Sequence, residues 1–193
     1  RLFFLLLCLS GGYLYHLGIL EDTPYILRNL ARPSHEQPVH NFYYGLKSGK
    51  LLFTGHALEQ SVLDSLNISE LDPEEIEYSK NILQALTCQL DYTVEHSAVH
   101  DSTATLELRI TTVPPEKLAG RFARSALSGL FSEKDMDQSI LEGLKETGCT
   151  AKRREFDQTI HLIQEDGSWK ISSEKTGSNI MFDLLELIVK KAL

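Results

Sequence analysis

The sequence predicts an α+β fold, with helices packed on a curved antiparallel sheet and an N-terminal hydrophobic helix ahead of them. Three observations carry this. Apolar residues recur at helical spacing as far as Leu86, the period drops to two from Leu90 and again from Thr103, and Asp166-Gly167 separates two later apolar runs. Spacings of three and four put residues on one helix face, and a period of two puts them on one sheet face. Asp-Gly between such runs is the strongest short hairpin signal.

Val39, Phe42 and Leu46 form the stripe of a helix that ends at Ser48-Gly49, where glycine can take the left-handed cap. Leu51, Leu58, Val62 and Leu66 describe a second amphipathic helix. Asp72-Pro73-Glu74-Glu75 supplies a cap, a first-turn proline and acids, launching a third helix through Ile76, Ile82, Leu83 and Leu86. Leu90, Tyr92 and Val94 then oppose Asp91, Thr93 and Glu95, and Ala104, Leu106, Leu108 and Ile110 oppose Thr105, Glu107, Arg109 and Thr111. Such alternation marks antiparallel strands with one packed and one wet face, joined here by a turn at His100-Asp101-Ser102.

Pro114-Pro115-Glu116 restarts helix. Leu118, Phe122, Ala126 and Leu130 are spaced by four, Ser132 to Asp135 opens a second piece with Met136, Ile140 and Leu144, and Gly148 closes it. The hairpin of residues 156–163 and 168–173 comes next, then a final helix with Ile180, Leu184 and Ile188 as its stripe and Lys190 and Lys191 at the negative end of its dipole.

Of 193 residues, 42% are apolar and 24% charged, a globular balance. The 19 basic against 27 acidic residues give a net charge of −8, which repels nucleic acid. Cys8, Cys88 and Cys149 form no C-x-x-C, which excludes a zinc ribbon or a thioredoxin-type motif.

Residues 2–20 carry no charged side chain, enough for a helix of ~20 residues across a ~30 Å hydrocarbon layer. Residues 1–20 therefore read as a signal or anchor segment, with a buried core helix as the bland alternative. Ser10-Gly11-Gly12 is a poor cleavage site because the chain stays apolar beyond it. Cys8 has the place of a lipoprotein cysteine, although Leu7 precedes it. Each export reading makes the rest extracytoplasmic, membrane-anchored or secreted. Pro24, Pro33 and Pro38 make residues 21–38 a spacer with a helical turn around Tyr25 to Leu30, so the domain spans residues 39–193.

Chemical motifs are sparse. Gly45-Leu46-Lys47-Ser48-Gly49-Lys50 has three residues between its glycines and Leu51 after the lysine, so it is a helix end and not a phosphate-binding loop. His96, His100 and Asp101 sit at a hairpin, where i, i+4 spacing does not converge on a metal. Asp135-Met136-Asp137 lacks the glycine of a calcium loop. Cys88 reads as a buried apolar residue or, outside the cytoplasm, as the partner of Cys149 in a disulfide. No catalytic, cofactor-binding or metal residue is assigned.

Three motifs carry a resemblance: the opening helix Phe42-Tyr43-Tyr44-Gly45-Leu46-Lys47-Ser48-Gly49, the pair Leu90-Asp91-Tyr92-Thr93-Val94 and Ser102-Thr103-Ala104-Thr105-Leu106, and Asp166-Gly167-Ser168-Trp169-Lys170-Ile171. Together they resemble the NTF2-like (cystatin-like fold) superfamily, and most closely its extracytoplasmic membrane-anchored or lipoprotein members from Gram-positive bacteria. The resemblance covers residues 39–193 and departs at Lys50, where an acid is usual. It implies an NTF2-like cone, often hollowed by a small-molecule pocket, with Trp169 packed beneath the sheet. Some members are isomerases or dehydratases that use an Asp or His base and a Tyr donor, which makes Tyr43, Tyr92 and His161 the possible pocket-lining residues; Asp91 should face away from Tyr92. The reading reached is a non-enzymatic domain that binds an unknown ligand or protein partner at the cell envelope. An isomerase or dehydratase-type enzyme and a scaffold subunit of a membrane assembly are the alternatives. Trp169 and Ile171 should face the helices and Lys170 solvent. Full burial would make Trp169→Ala cost ~3–5 kcal/mol, enough to leave a marginal or unfolded domain in a thermal melt.

Overall fold

The computed structural model describes residues 19–50, 57–58, 73–131 and 135–172. It is α+β. The described helices are α1 (Ile19–Leu30), α2 (Gln37–Ser48), α3 (Pro73–Thr87), α4 (Pro115–Leu130) and α5 (Met136–Thr150). The strands β1 (Asp91–His100), β2 (Thr103–Thr112), β3 (Arg154–Glu165) and β4 (Ser168–Ile171) form one antiparallel sheet in the order β1-β2-β3-β4. The expected helix from Leu51 to Leu66 and the closing helix at Ile180 to Ile188 lie outside the described residues, apart from Ala57 and Leu58, both buried, of which Leu58 bridges Ile171 of β4. So does the hydrophobic segment of residues 1–20 except for its last two positions, which open α1. No helix among the described residues is long and apolar enough to cross a membrane.

The sheet follows the alternation. Ala104, Leu106, Leu108 and Ile110 of β2 and Ile160 and Leu162 of β3 are buried, as is Ile171 of β4. Each lies opposite a buried or partly buried neighbour: Tyr92 faces Ile110, Val94 faces Leu108, Leu106 faces Ile160 and Leu162 faces Ile171. Val39, Phe42, Tyr43 and Leu46 of α2 and Ile82, Leu83 and Leu86 of α3 complete this core, joined by Leu118, Ile140 and Leu144. Burying an aliphatic or aromatic side chain of this kind contributes ~1.5–3 kcal/mol, so the helix layer and the sheet hold each other. The opposite sheet face is wet. Arg109 there reaches Glu95 at 3.8 Å and Asp157 at 3.7 Å, all three well exposed, and such pairs contribute at most ~1 kcal/mol.

Strand β1 contains one break. The register shifts between Val94 and His96, leaving Glu95 without a partner on β2. The bulge reverses the parity of the remaining strand residues, so Ser97 and Val99 share the packed face with Tyr92 and Val94, and His96 and His100 share the wet face. His96 therefore lies within a strand and not at the turn.

Helix α1 is longer than the single turn its prolines imply. Pro24 lies inside it with an exposed ring, while Asp22, Tyr25 and Asn29, on the opposite face, dock on α2. Tyr25 stacks on Tyr44 with ring centroids 3.6 Å apart, and Lys50 Nζ meets the buried Asp22 carboxylate at 2.6 Å. These contacts offset the missing backbone hydrogen bond. At its other end α2 closes on Gly49 at φ 68°, the left-handed cap expected, and α3 satisfies its last carbonyls: Thr87 donates to Leu46 O and Gln84 to Ser48 O.

Gly148 does not end a helix. It lies within α5, where a Cβ would collide with Ala85 O, so the glycine lets α5 run against α3. Beside it Cys149 is bonded to Cys88, with Cα atoms 5.2 Å apart. Asp166 and Gly167 turn the last hairpin with φ 49° and 78°, as the type I′ signal requires. Trp169 packs only partly against the core. Leu130, expected in the stripe of α4, is 67% exposed, and Phe131 89%.

Two glycine substitutions should separate. Gly148→Ala forces α3 and α5 apart and should cost about 1–3 kcal/mol in chemical denaturation. Gly120→Ala adds a Cβ with nothing within 4 Å of it in a helix interior, and should stabilise by about 0.5–1 kcal/mol. Reduction of Cys88–Cys149, or Cys149→Ser, should lower stability by about 2–4 kcal/mol through the loop spanning 61 positions that it releases, read as a shift of the denaturant midpoint.

Candidate functional site

Both hairpin turns, at Asp101-Ser102 and Asp166-Gly167, lie at one end of the sheet, and the α1–α2 corner crosses that end on the packed side. There Gln37, Pro38 and Asn41 of α2 face Ser168, Trp169 and Lys170 of β4 across a cavity of about 390 Å³. Its polar wall is fixed from behind. Asn41 Oδ1 accepts from Tyr25 Oη and from Asn29 Nδ2, both at 2.8 Å, and Gln37 Nε2 donates to Arg32 O at 3.0 Å. These bonds assign the amide orientations, so Asn41 Nδ2 and Gln37 Oε1 are the groups they leave over on two residues that line the cavity. Trp169 forms the aromatic wall, with the His35 ring set edge-on to it at 6.3 Å.

The same corner brings three chemically suggestive residues together. Ser97 Oγ donates to Glu36 Oε1 at 3.0 Å, and His35 Nε2 lies 3.4 Å from the same hydroxyl. A nucleophilic triad needs the serine proton on the histidine and the carboxylate on the other ring nitrogen. Here the hydroxyl proton goes to the carboxylate, and Glu36 approaches Nε2 as well, at 3.9 Å. The cluster locks the corner to β1; its geometry is not a proton relay.

One turn further along α2, His40 Nδ1 shares a hydrogen bond with Tyr92 Oη, and Tyr43 stacks on Tyr92 with centroids 4.3 Å apart. Burial pushes the His40 pKa from 6.5 down to about 4, with Arg32 adding to the effect. Burial likewise lifts the Tyr92 phenol to about 12 and the Tyr43 phenol further. Tyr43 is fully buried, and its hydroxyl has no hydrogen-bond partner among the described residues. A neutral imidazole, buried where α2 meets β1 and bonded to a half-buried phenol, stiffens α2 against β1.

Of the three residues picked out from the sequence, Tyr43 and Tyr92 are therefore in contact; Tyr43 is buried in the core, Tyr92 is half-buried against it, and neither lines this cavity. His161 is elsewhere. It stands on the wet face opposite Thr105, whose Oγ1 lies 3.3 Å from its Nδ1, because the parity that buries Ile160 and Leu162 turns it outward. The residues that do line the cavity, Gln37, Asn41 and Trp169, carry a sequence signal only in part: Gln37 and Asn41 are an i, i+4 polar pair on an otherwise buried helix. A larger cleft of about 630 Å³ runs between α4 and α5, where Arg121 pairs with Glu146 and the charges compensate. No group of three or more possible metal ligands occurs among the described residues.

His40 gives the domain a pH dependence with a definite sign. Its pKa is lower folded than unfolded, so the unfolded chain takes up the proton first as pH falls. The stabilisation is complete above about 6.5 and is lost progressively down to about 4, on the order of 3 kcal/mol in all. Denaturant midpoints measured between pH 7.5 and 4.5 should fall for the native chain and fall less for His40→Gln. Equal slopes would show that His40 is not the source.

Comparison of this chain with protein-family models, with curated proteins and with solved structures gives no match.

Proposed function

We propose that this protein is a non-enzymatic binding domain that takes a small polar ligand in the cavity between α2 and β4. The observation that carries this is the fixed donor and acceptor pair of Asn41 and Gln37 set beside Trp169, in a cavity at the lower end of the ~300–1,000 Å³ typical of small-ligand pockets. Orientation without a relay suits recognition. An isomerase or dehydratase of the kind that uses a His base and a Tyr donor would need His40 and Tyr92 open to substrate, whereas His40 is buried on α2 against β1 and Tyr92 is half-buried beneath that helix.

The NTF2-like cone belongs to the same proposal: helices on one face of a four-stranded antiparallel sheet and a ligand at its open end agree with that architecture. Extracytoplasmic placement, with residues 1–20 as anchor or signal, draws support from the Cys88–Cys149 bond, since disulfides persist in oxidising compartments. Fractionation of the native cell that recovers the protein only from the cytosol would overturn it. A scaffold role has one specific observation in its favour, the exposed Leu127, Leu130 and Phe131 at the end of α4. It predicts self-association in sedimentation that Phe131→Glu abolishes.

The binding reading is checked by amide and indole NMR during a screen of polar small molecules. Shifts should concentrate on Gln37, Asn41 and residues 168–170. Hits confined to the α4–α5 cleft or the wet sheet face, or none at all, would refute it. Because Trp169 is only partly buried, Trp169→Ala should cost less than the ~3–5 kcal/mol of a fully buried aromatic and leave a folded domain that no longer binds.

A further inference from the structure

The geometry points to a neutral saccharide, one sugar ring in size, as the ligand class of the cavity between α2 and β4. This rests on that cavity being the binding site. Four observations narrow the chemistry. The wall offers one amide donor, Asn41 Nδ2, and one amide acceptor, Gln37 Oε1, a helical turn apart on α2. Neighbouring hydroxyls on a sugar ring each donate and accept, so one vicinal pair can meet both groups at once. Ser34 and Ser168 add two further hydroxyls on the rim, each able to exchange donor and acceptor roles with the same ligand.

Trp169 supplies the apolar component. Its ring meets the edge-on His35, which is itself tied to Ser97 and Glu36, so the indole packs against a fixed neighbour. The C–H face of a pyranose is the apolar surface that pairs with such a ring, while its hydroxyls point away toward the amides. Among the described residues the lining contains no second aromatic and no cluster of aliphatic side chains, so the cavity has no compartment for an apolar side chain of a peptide or for an acyl chain. No carboxylate among the described residues lines it either, which separates it from a site for a cationic ligand, and Lys170, the one charged residue of the described lining, already has an interaction partner of its own and is not a free cation waiting for an anion.

Trp169 is the only tryptophan of the chain, so its emission reports this cavity alone. The full chain is titrated with glucose, galactose and N-acetylglucosamine into the tens of millimolar, and in parallel with a neutral tripeptide. A saturable change with at least one sugar is expected. Asn41→Asp keeps the oxygen that accepts from Tyr25 and Asn29 while replacing the donor Nδ2 with an acceptor, and it should weaken sugar binding by about tenfold or more. Thermal melts establish that this variant is folded. Trp169→Phe, followed by saturation-transfer NMR on the sugar protons, should weaken binding without abolishing it, and Arg124→Ala in the other cleft should leave it unchanged.

A saturable response to the tripeptide with none to any sugar overturns the ligand class and leaves the binding site standing. A sugar response unaffected by Asn41→Asp also overturns the assignment, since the amide pair would then play no part. Silence of Trp169 toward sugars, with hits from the wider screen still falling on residues 168–170, overturns the class alone; hits falling elsewhere overturn the site with it.

Discussion

The structure depends on α2 being buried on three sides. Val39, Phe42, Tyr43 and Leu46 fill the sheet's packed face, Glu36 and His40 turn to β1, and Gln37, Asn41 and Tyr44 turn to α1 and β4. A helix so enclosed cannot leave its polar groups to water, and each unpartnered one costs ~1–3 kcal/mol. Its neighbours therefore exist partly to answer it. Tyr25 and Asn29 reach Asn41, Arg32 O receives Gln37, Tyr92 meets His40, and Gln84 and Thr87 close the C-terminal carbonyls. The cavity wall is a by-product of that demand: two amides oriented from inside have one remaining group each, and those groups meet the cavity.

The bulge at Glu95 and the pair Lys50–Asp22 extend the same logic to the edges. Without the extra residue, His96 would point at α2 and Ser97 at solvent, and the corner at His35-Glu36 would lose its hold on β1. Lys50 carries a charge that would be costly near the core without a counter-ion. The counter-ion comes from α1, whose Asp22 is buried against it and also accepts from Tyr44. Residues 22–30 are thus tied to α2 and the residue just past its cap by a ring stack, a hydrogen bond between side-chain amides and an ion pair, which explains a helix where three prolines in eighteen positions argue for a spacer.

Legibility in the sequence depends on which forces are local. The sheet faces, the Gly49 cap, the Asp166-Gly167 turn and the start of α5 near Asp135 all rest on periodicity or on one residue's backbone preference, and all are found. The helix α1 is hidden because its stability comes from contacts with residues some twenty positions away and not from its own propensity. His161 stands beside Thr105 on the sheet face away from the cavity between α2 and β4, and strict alternation from Ile160 and Leu162 already turns it there. The bulge is readable in principle: Glu95-His96 puts two polar residues together between Val94 and Val99, a break in the period of two. The cavity is not, since it arises where a helix corner meets a strand turn more than a hundred residues later.

The two ends of the sheet are built for different tasks. Cys88 and Cys149 shortly precede β1 and β3, which start at the same end, so their bond joins the chain leading into both strands that flank β2. Gly148 brings α5 into backbone contact with α3 beside that bond. At the opposite end the strands are joined by turns with positive φ at Asp101, Asp166 and Gly167, and the layer above is a polar corner and not a packed helix pair. Covalent and close-packed constraint at one end lets the other keep a cavity, because the strands forming its floor are already aligned. On the proposed reading, a site held in this way needs little rearrangement on binding, and the ordering cost that would otherwise weaken a small polar ligand is met when the domain folds.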